Sequence, residues 1–255
     1  MLGKKLRMLV EVVAAFRNYF DYLRLLRGWT NKEKVILRTW DGLRVICRNN
    51  VWDARIVGET FMDKCYMKNI SINAKAPIVV DIGGYIGDFS LYAAKRLGAR
   101  VFVYEPIPDN FNMLKDNIKI NNYEENITAW NRAVSNEPEL MINVARSGGD
   151  IHASGYMYAD SSEKVSIKCT KLDSLFSENN ITEIHLLKID CEGCEYGVLL
   201  DALPETFKKI HNIVFEYHEI PAWEVQLEQL KDRLRSLGYA VVRDPDLHIM
   251  SAIRV

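Results

Sequence analysis

The sequence predicts an α/β fold, doubly wound (Rossmann-like) around a mostly parallel sheet that ends in a C-terminal antiparallel hairpin. Three observations point there. Continuous apolar runs without period 2 recur between residues 78 and 217, helical segments separate them, and a glycine-rich turn joins the first run to the first helix. With 255 residues, 48% of them hydrophobic, one core is comfortable, with an appendage over residues 1–75 and the main domain over 76–255.

The elements follow in order. Residues 2–27 read as one helix, with Leu6, Leu9, Val13, Phe16, Phe20 and Leu23 at three- and four-residue spacing. Lys4, Lys5, Arg7, Arg17, Arg24 and Arg27 against Glu11 and Asp21 give it a charge of +4, which leaves −5 on the rest of a chain whose net charge is −1. Such a helix packs on its own domain or makes a dimer contact; a basic amphipathic helix also suits peripheral contact with an anionic membrane. Val35–Thr39 and Leu43–Cys47, parted by Trp40-Asp41-Gly42, predict a hairpin, and a helix is expected over 53–62.

Ala76-Pro77 marks the edge of the main domain. Strands are expected at 78–82, 100–104 and 127–130, with helices at 87–97 and 109–120 between them. Residues 139–171 read as irregular. Strands at 186–189 and 213–217, a helix at 223–237 and a hairpin of 239–243 with 248–254 close the pattern.

Bulk properties narrow the functional class. A net charge of −1 and a pI near 6.5 provide no field for nucleic acid, so a small-molecule or glycan acceptor is the expected partner. Five scattered cysteines favour a reducing compartment. No apolar run approaches the roughly 20 residues that cross a bilayer. The N-terminal apolar stretch is interrupted by Glu11 and Arg17, unlike a secretory peptide. The expected location is cytoplasmic, at most peripheral at the membrane.

The sharpest signal is Val80-Asp81-Ile82-Gly83-Gly84-Tyr85-Ile86-Gly87. Gly83 and Gly84 can bend and admit a ligand to the backbone, and Gly87 can let helix and strand pack closely. The spacing is not that of G-x-G-x-x-G. Asp81 would oppose a diphosphate but attract a cofactor with a cationic amino-acid end, which argues for S-adenosylmethionine (SAM) over a nicotinamide dinucleotide. Glu105, 18 residues past Gly87 and followed by Pro106, is placed to accept ribose hydroxyls. Asn131 to Val134, including Ala133, lies where an adenine would rest.

At the reactive end, Asp190 and Glu192 follow one strand, and Glu216 and His218 close the next. A hydroxyl attacks a methyl sulfonium only as its proton leaves, which calls for a base such as His218 or a metal that acidifies the hydroxyl. Asp190, Glu216 and His218 form an oxygen-rich candidate site for Mg2+ or Mn2+. Cys191 and Cys194 lack a second metal-binding pair and read as small residues packing a turn. Residues 147–155 are either an acceptor lid or a surface connection.

Asp81 to Gly87, Glu105-Pro106 with Pro108, Phe111, Leu114 and Asn117, Ala133-Val134-Ser135, and Lys188 to Glu195 together resemble the FkbM family of SAM-dependent methyltransferases. The likeness covers residues 76–219 and implies a class I methyltransferase fold that methylates hydroxyls of sugars or natural products. It implies that Asp81, Gly83, Gly87 and Glu105 contact SAM, and that Asp190 and Glu192 face the acceptor. The family usually carries Asn where this chain has Tyr85. Two further readings are a nicotinamide-dependent oxidoreductase and a non-catalytic module that docks through its basic helix.

Overall fold

The computed structural model describes residues 2–145, 162–191, 193–217 and 223–255. The chain begins with α1 (Leu2–Ala15), α2 (Tyr19–Leu26), the hairpin β1 (Lys34–Arg38) and β2 (Arg44–Arg48), and α3 (Val51–Gly58). A π-helical turn (Glu59–Asp63) and a 3-10 turn (Cys65–Met67) lead on to β3 (Ile78–Ile82), α4 (Asp88–Arg96), β4 (Arg100–Tyr104), α5 (Pro108–Ile120) and β5 (Ile127–Trp130). Next come β6 (Ala133–Val134), β7 (Glu139–Ala145), β8 (Ser162–Thr170) and α6 (Leu175–Glu178). The last third holds β9 (Leu186–Ile189), α7 (Cys194–Asp201), α8 (Pro204–Phe207), β10 (Asn212–Glu216), α9 (Glu224–Ser236), β11 (Tyr239–Asp244) and β12 (Ile249–Arg254).

The main sheet has seven strands in the order β11-β12-β10-β9-β3-β4-β5. Strands β10, β9, β3, β4 and β5 run parallel, and β12 is antiparallel to both β10 and β11. The chain winds outward from β3 to β5 and then returns to β9 on the other side of β3. The point where a doubly wound sheet opens its ligand crevice therefore lies between β3 and β9.

Alternate residues of each strand face opposite layers. Val79, Val101 and Val103 join one apolar cluster, while Val80, Phe102, Leu187 and Phe215 join the other. The first cluster also takes in Val12, Phe16, Leu25, Leu37, Val45 and Val57, so the N-terminal region shares the core of the main sheet. Asparagines in and just after α5 tie it down further. Asn117 accepts from the Ile46 amide at 2.7 Å and donates to the Ile46 and Ile86 carbonyls, and Asn121 pairs with both backbone groups of Arg44. An amide side chain can thus mimic a strand partner for β2.

Two expectations are corrected. The single helix over 2–27 is broken, because Phe16 forms a bridge to Thr39 and the Arg17 amide donates to the Arg38 carbonyl. Asn18 then bonds to Ile36 and Arg38, and α2 starts afresh. The stretch 139–171, expected to be irregular, contributes β7 and β8 to a separate three-stranded sheet ordered β6-β8-β7. Its core of Ile107, Ile142 and Ile167 is small, so only alternate residues of β7 and β8 need be apolar.

Candidate active site

The ladder between β3 and β9 sets Asp81 directly opposite Lys188. Lys188 Nζ lies 3.1 Å from Asp81 Oδ1 as an ion pair, donates to the Gly83 carbonyl at 2.6 Å, and sits 3.7 Å from Asp190 Oδ2. Ser90 Oγ donates to the other Asp81 oxygen at 2.7 Å. Asp81 and Lys188 are sealed from solvent, whereas the Asp190 side chain keeps 22% of its surface exposed. Burial pushes the Asp81 carboxyl up, and Lys188 partly offsets this. Burial works against the Lys188 ammonium, but Asp81 and then Asp190 outweigh it and hold it charged.

The 3-10 turn of the N-terminal region completes this cluster. Tyr66 Oη donates to Asp190 Oδ2 at 2.5 Å, and Lys188 Nζ lies 5.1 Å from the Tyr66 ring centre. Burial, followed by the nearby Asp190 charge, drives the Tyr66 phenol well above its usual range, so it remains a donor. Sequence reasoning missed Tyr66 because nothing local marks a tyrosine that acts on a residue 124 positions away. Lys188 was visible only as part of a motif.

The glycine turn is built by packing. A Cβ on Gly83, whose φ is +79°, would lie 1.7 Å from the Asp190 carbonyl oxygen, and one on Gly84 would lie 2.1 Å from the Val103 side chain. A Cβ on Gly87 would meet Leu114 at 3.2 Å. On the side where a Cβ would project, Gly83 and Gly84 are therefore packed against the Asp190 backbone and the Val103 side chain, so neither position has room for a larger residue. Tyr85 occupies the left-handed region at φ +47°, where asparagine is far more at ease than a bulky side chain. It is held there by its own anchors. Tyr85 Oη donates to Asp53 Oδ1 at 2.5 Å, and the Arg48 guanidinium lies 5.2 Å from its ring centre. Asp53 is itself fully buried and paired with Arg48.

Glu105, at the end of β4, accepts from the Tyr85 amide at 2.8 Å and from the Ile107 amide at 2.9 Å. Burial raises its pKa to about 7 even though these bonds favour the anion. Asn131 donates to the carbonyls of Glu105 and Pro106, so it fixes the turn after β4, and Ala133 opens β6 beside it.

Beyond Asp190, Cys191 and Cys194 form a disulfide across a turn in which Gly193 adopts φ +111°. The turn-packing expectation for these two cysteines is corrected, and the support that scattered cysteines lent to a reducing compartment goes with it. Glu195 is buried and accepts from the amides of Cys191 and Gly193; burial lifts its pKa to about 7. Glu216 ends β10, partly exposed, one step beyond the Phe215–Ile189 pair. Glu192, His218 and residues 147–155 lie outside the described residues. Among the described residues no group of three or more His, Cys, Asp or Glu side chains is arranged to hold a metal ion, so the Mg2+ or Mn2+ site expected at Asp190, Glu216 and His218 gains no support. No described helix is long and apolar enough to cross a membrane.

The donor set suits SAM. Asp81, Lys188 and Asp190 together leave one net negative charge, which favours a cationic cofactor, and Glu105 has carboxylate oxygens beside the glycine turn that suit a diol. One carboxylate oxygen, Asp81 Oδ1, is buried without an aligned hydrogen bond.

Comparison with known proteins agrees. A family model described as the methyltransferase FkbM domain matches residues 81–241. The 31-O-demethyl-FK506 methyltransferase FkbM of Streptomyces tacrolimicus is 26% identical over 216 residues, covering 74% of this chain and 82% of that protein. The hexuronic acid methyltransferase AglP of Haloferax volcanii is 24% identical over 148 residues, covering 55% of this chain and 56% of its own. The crystal structure of a SAM-dependent methyltransferase from Agrobacterium tumefaciens shares the fold, with a TM-score of 0.50, 15% identity, and coverage of 89% of this chain and 72% of that one. The match over more than half of the chain, on a class I methyltransferase fold, makes this protein a SAM-dependent methyltransferase of the FkbM family.

Proposed function

We propose that the protein transfers the methyl group of SAM to a hydroxyl oxygen of a sugar, a polysaccharide or another polyhydroxylated small molecule. The observation that carries this reading is the partly exposed Asp190 carboxylate at the switch point, backed by Lys188 and gripped by Tyr66. When bound, SAM supplies an electrophilic methyl on a positively charged sulfur. Asp190 would take the proton of the acceptor hydroxyl as the hydroxyl oxygen accepts the methyl, and SAM would leave as S-adenosylhomocysteine (SAH), its sulfur keeping the electron pair of the former methyl bond. The glycine turn and Glu105 fix the donor side, so alignment of donor and acceptor supplies much of the rate. Two relatives support the acceptor class: one is named for a 31-O position and the other for a hexuronic acid.

The test is a transfer assay with methyl-labelled SAM over a panel of sugars, uronic acids and polyhydroxylated macrocycles, read by product mass and by the position of the label. Label on a hydroxyl oxygen, lost in Asp190→Asn while SAH still binds, is the expected result. Label on nitrogen or carbon would overturn the oxygen assignment, and full turnover by Asp190→Asn would overturn the role of that carboxylate. Because Asp190 does the proton work in this reading, a chelator leaves the rate unchanged.

A further inference from the structure

The apolar stripe that periodicity picks out on α1 is the face that the fold leaves uncovered. Val12 and Ala15 turn inward, whereas Leu6, Leu9, Val10 and Val13, spaced one helical face apart, are exposed, Leu6 by 63% and Val10 by 60%. Trp40 extends this stripe. Its indole N–H donates to the Val13 carbonyl at 2.8 Å, which sets a ring 61% exposed against the end of α1. Among the described residues, 8 of the 13 exposed large hydrophobic side chains fall between residues 6 and 40. A soluble surface scatters such residues singly; five of these eight lie on α1, and that concentration marks a contact surface.

Charge decides what covers it. Residues 2–27 carry +4 in a chain whose net charge is −1, and Arg7, Arg17, Arg24, Arg27 and Arg38 are all exposed in this region. Two copies meeting through the same stripe would press one basic rim against another. An anionic bilayer has the opposite complementarity: aliphatic side chains enter the acyl boundary, the tryptophan ring rests at headgroup depth and arginines meet phosphates. We propose that α1, with Trp40, is a peripheral docking surface for anionic lipid membranes and holds the enzyme at the bilayer without crossing it.

The experiment is co-sedimentation of the full chain with phosphatidylcholine vesicles containing phosphatidylglycerol, against pure phosphatidylcholine vesicles. Gel filtration of the same samples reports oligomeric state, and SAH binding reports folding. The protein is expected to pellet with the anionic vesicles alone, less so as salt rises, and to lose about tenfold in partitioning in Leu6→Glu with Val10→Glu. That double variant should bind SAH normally, because neither side chain touches the core or the site. Three results would overturn the proposal: no preference for anionic vesicles, undiminished pelleting of the double variant, or a wild-type dimer that the double variant dissociates, which would give the stripe to a second copy.

Discussion

Tyr66 and Asp190 meet through a 2.5 Å hydrogen bond that joins the N-terminal region to the end of β9. The phenol stabilises the charged carboxylate, so Tyr66→Phe should raise the Asp190 pKa and shift the acid limb of the kcat–pH profile upward. Because the same bond fixes where the carboxylate points, its loss should lower kcat roughly 10- to 100-fold at neutral pH through misplacement of the base, with SAH affinity unchanged. A kcat–pH profile alongside an SAH titration checks both halves; a merely structural tyrosine would not move the profile.

Removing Lys188 leaves Asp81 buried and without its cation. Lys188→Met should destabilise the fold by about 3–5 kcal/mol, the usual result of stranding a buried charge. Combining it with Asp81→Asn should recover part of that loss. Urea unfolding of the two singles and the double gives the coupling directly, and strict additivity would contradict the pairing.

Glu105 titrates near 7, and its anion is the form suited to a cationic, diol-bearing ligand. Its carboxylate forms as pH rises through that value, so SAH binding should tighten by about tenfold between pH 6 and pH 8, in proportion to the ionised fraction. Glu105→Gln should bind more weakly and show a flat pH dependence. Calorimetric titrations at a series of pH values decide the matter.

Tyr85→Phe deletes the donor to buried Asp53 and should cost about 1–3 kcal/mol of stability. Tyr85→Asn relieves the left-handed strain but loses the same bond and the ring beneath Arg48, so it too should be less stable than the parent. Thermal unfolding of both variants tests whether anchoring outweighs strain in this turn.

Much of the fold can be read from local pattern. Ile78–Ile82 and Leu186–Ile189 are buried runs flanked by helices, and nothing else in the chain explains them. The turn at 83–87 and the acid at 105 follow from the same rule of strand ends. The alternation of Val165, Ile167 and Cys169 with polar residues in β8 was also present, but its small core leaves it short and faint. Tyr66, Asp53 and Arg48 could not be found in this way. Their partners lie on other elements, and a period of 2 or 3.6 reports only which face a residue shares with its near neighbours. The break at Phe16–Asn18 is likewise decided by β1, not by helix propensity.

The stretch from Arg48 to Tyr66 touches both halves of the site. At one end, Arg48 and Asp53 brace Tyr85, whose amide holds Glu105; at the other, Tyr66 holds Asp190. Between them lies the π-helical turn on which α1 packs. In the proposed reading, the donor side at Glu105 and the acceptor side at Asp190 thus depend on one short stretch of chain rather than on two independent supports. A shift of that stretch would disturb the supports of Glu105 and Asp190 together.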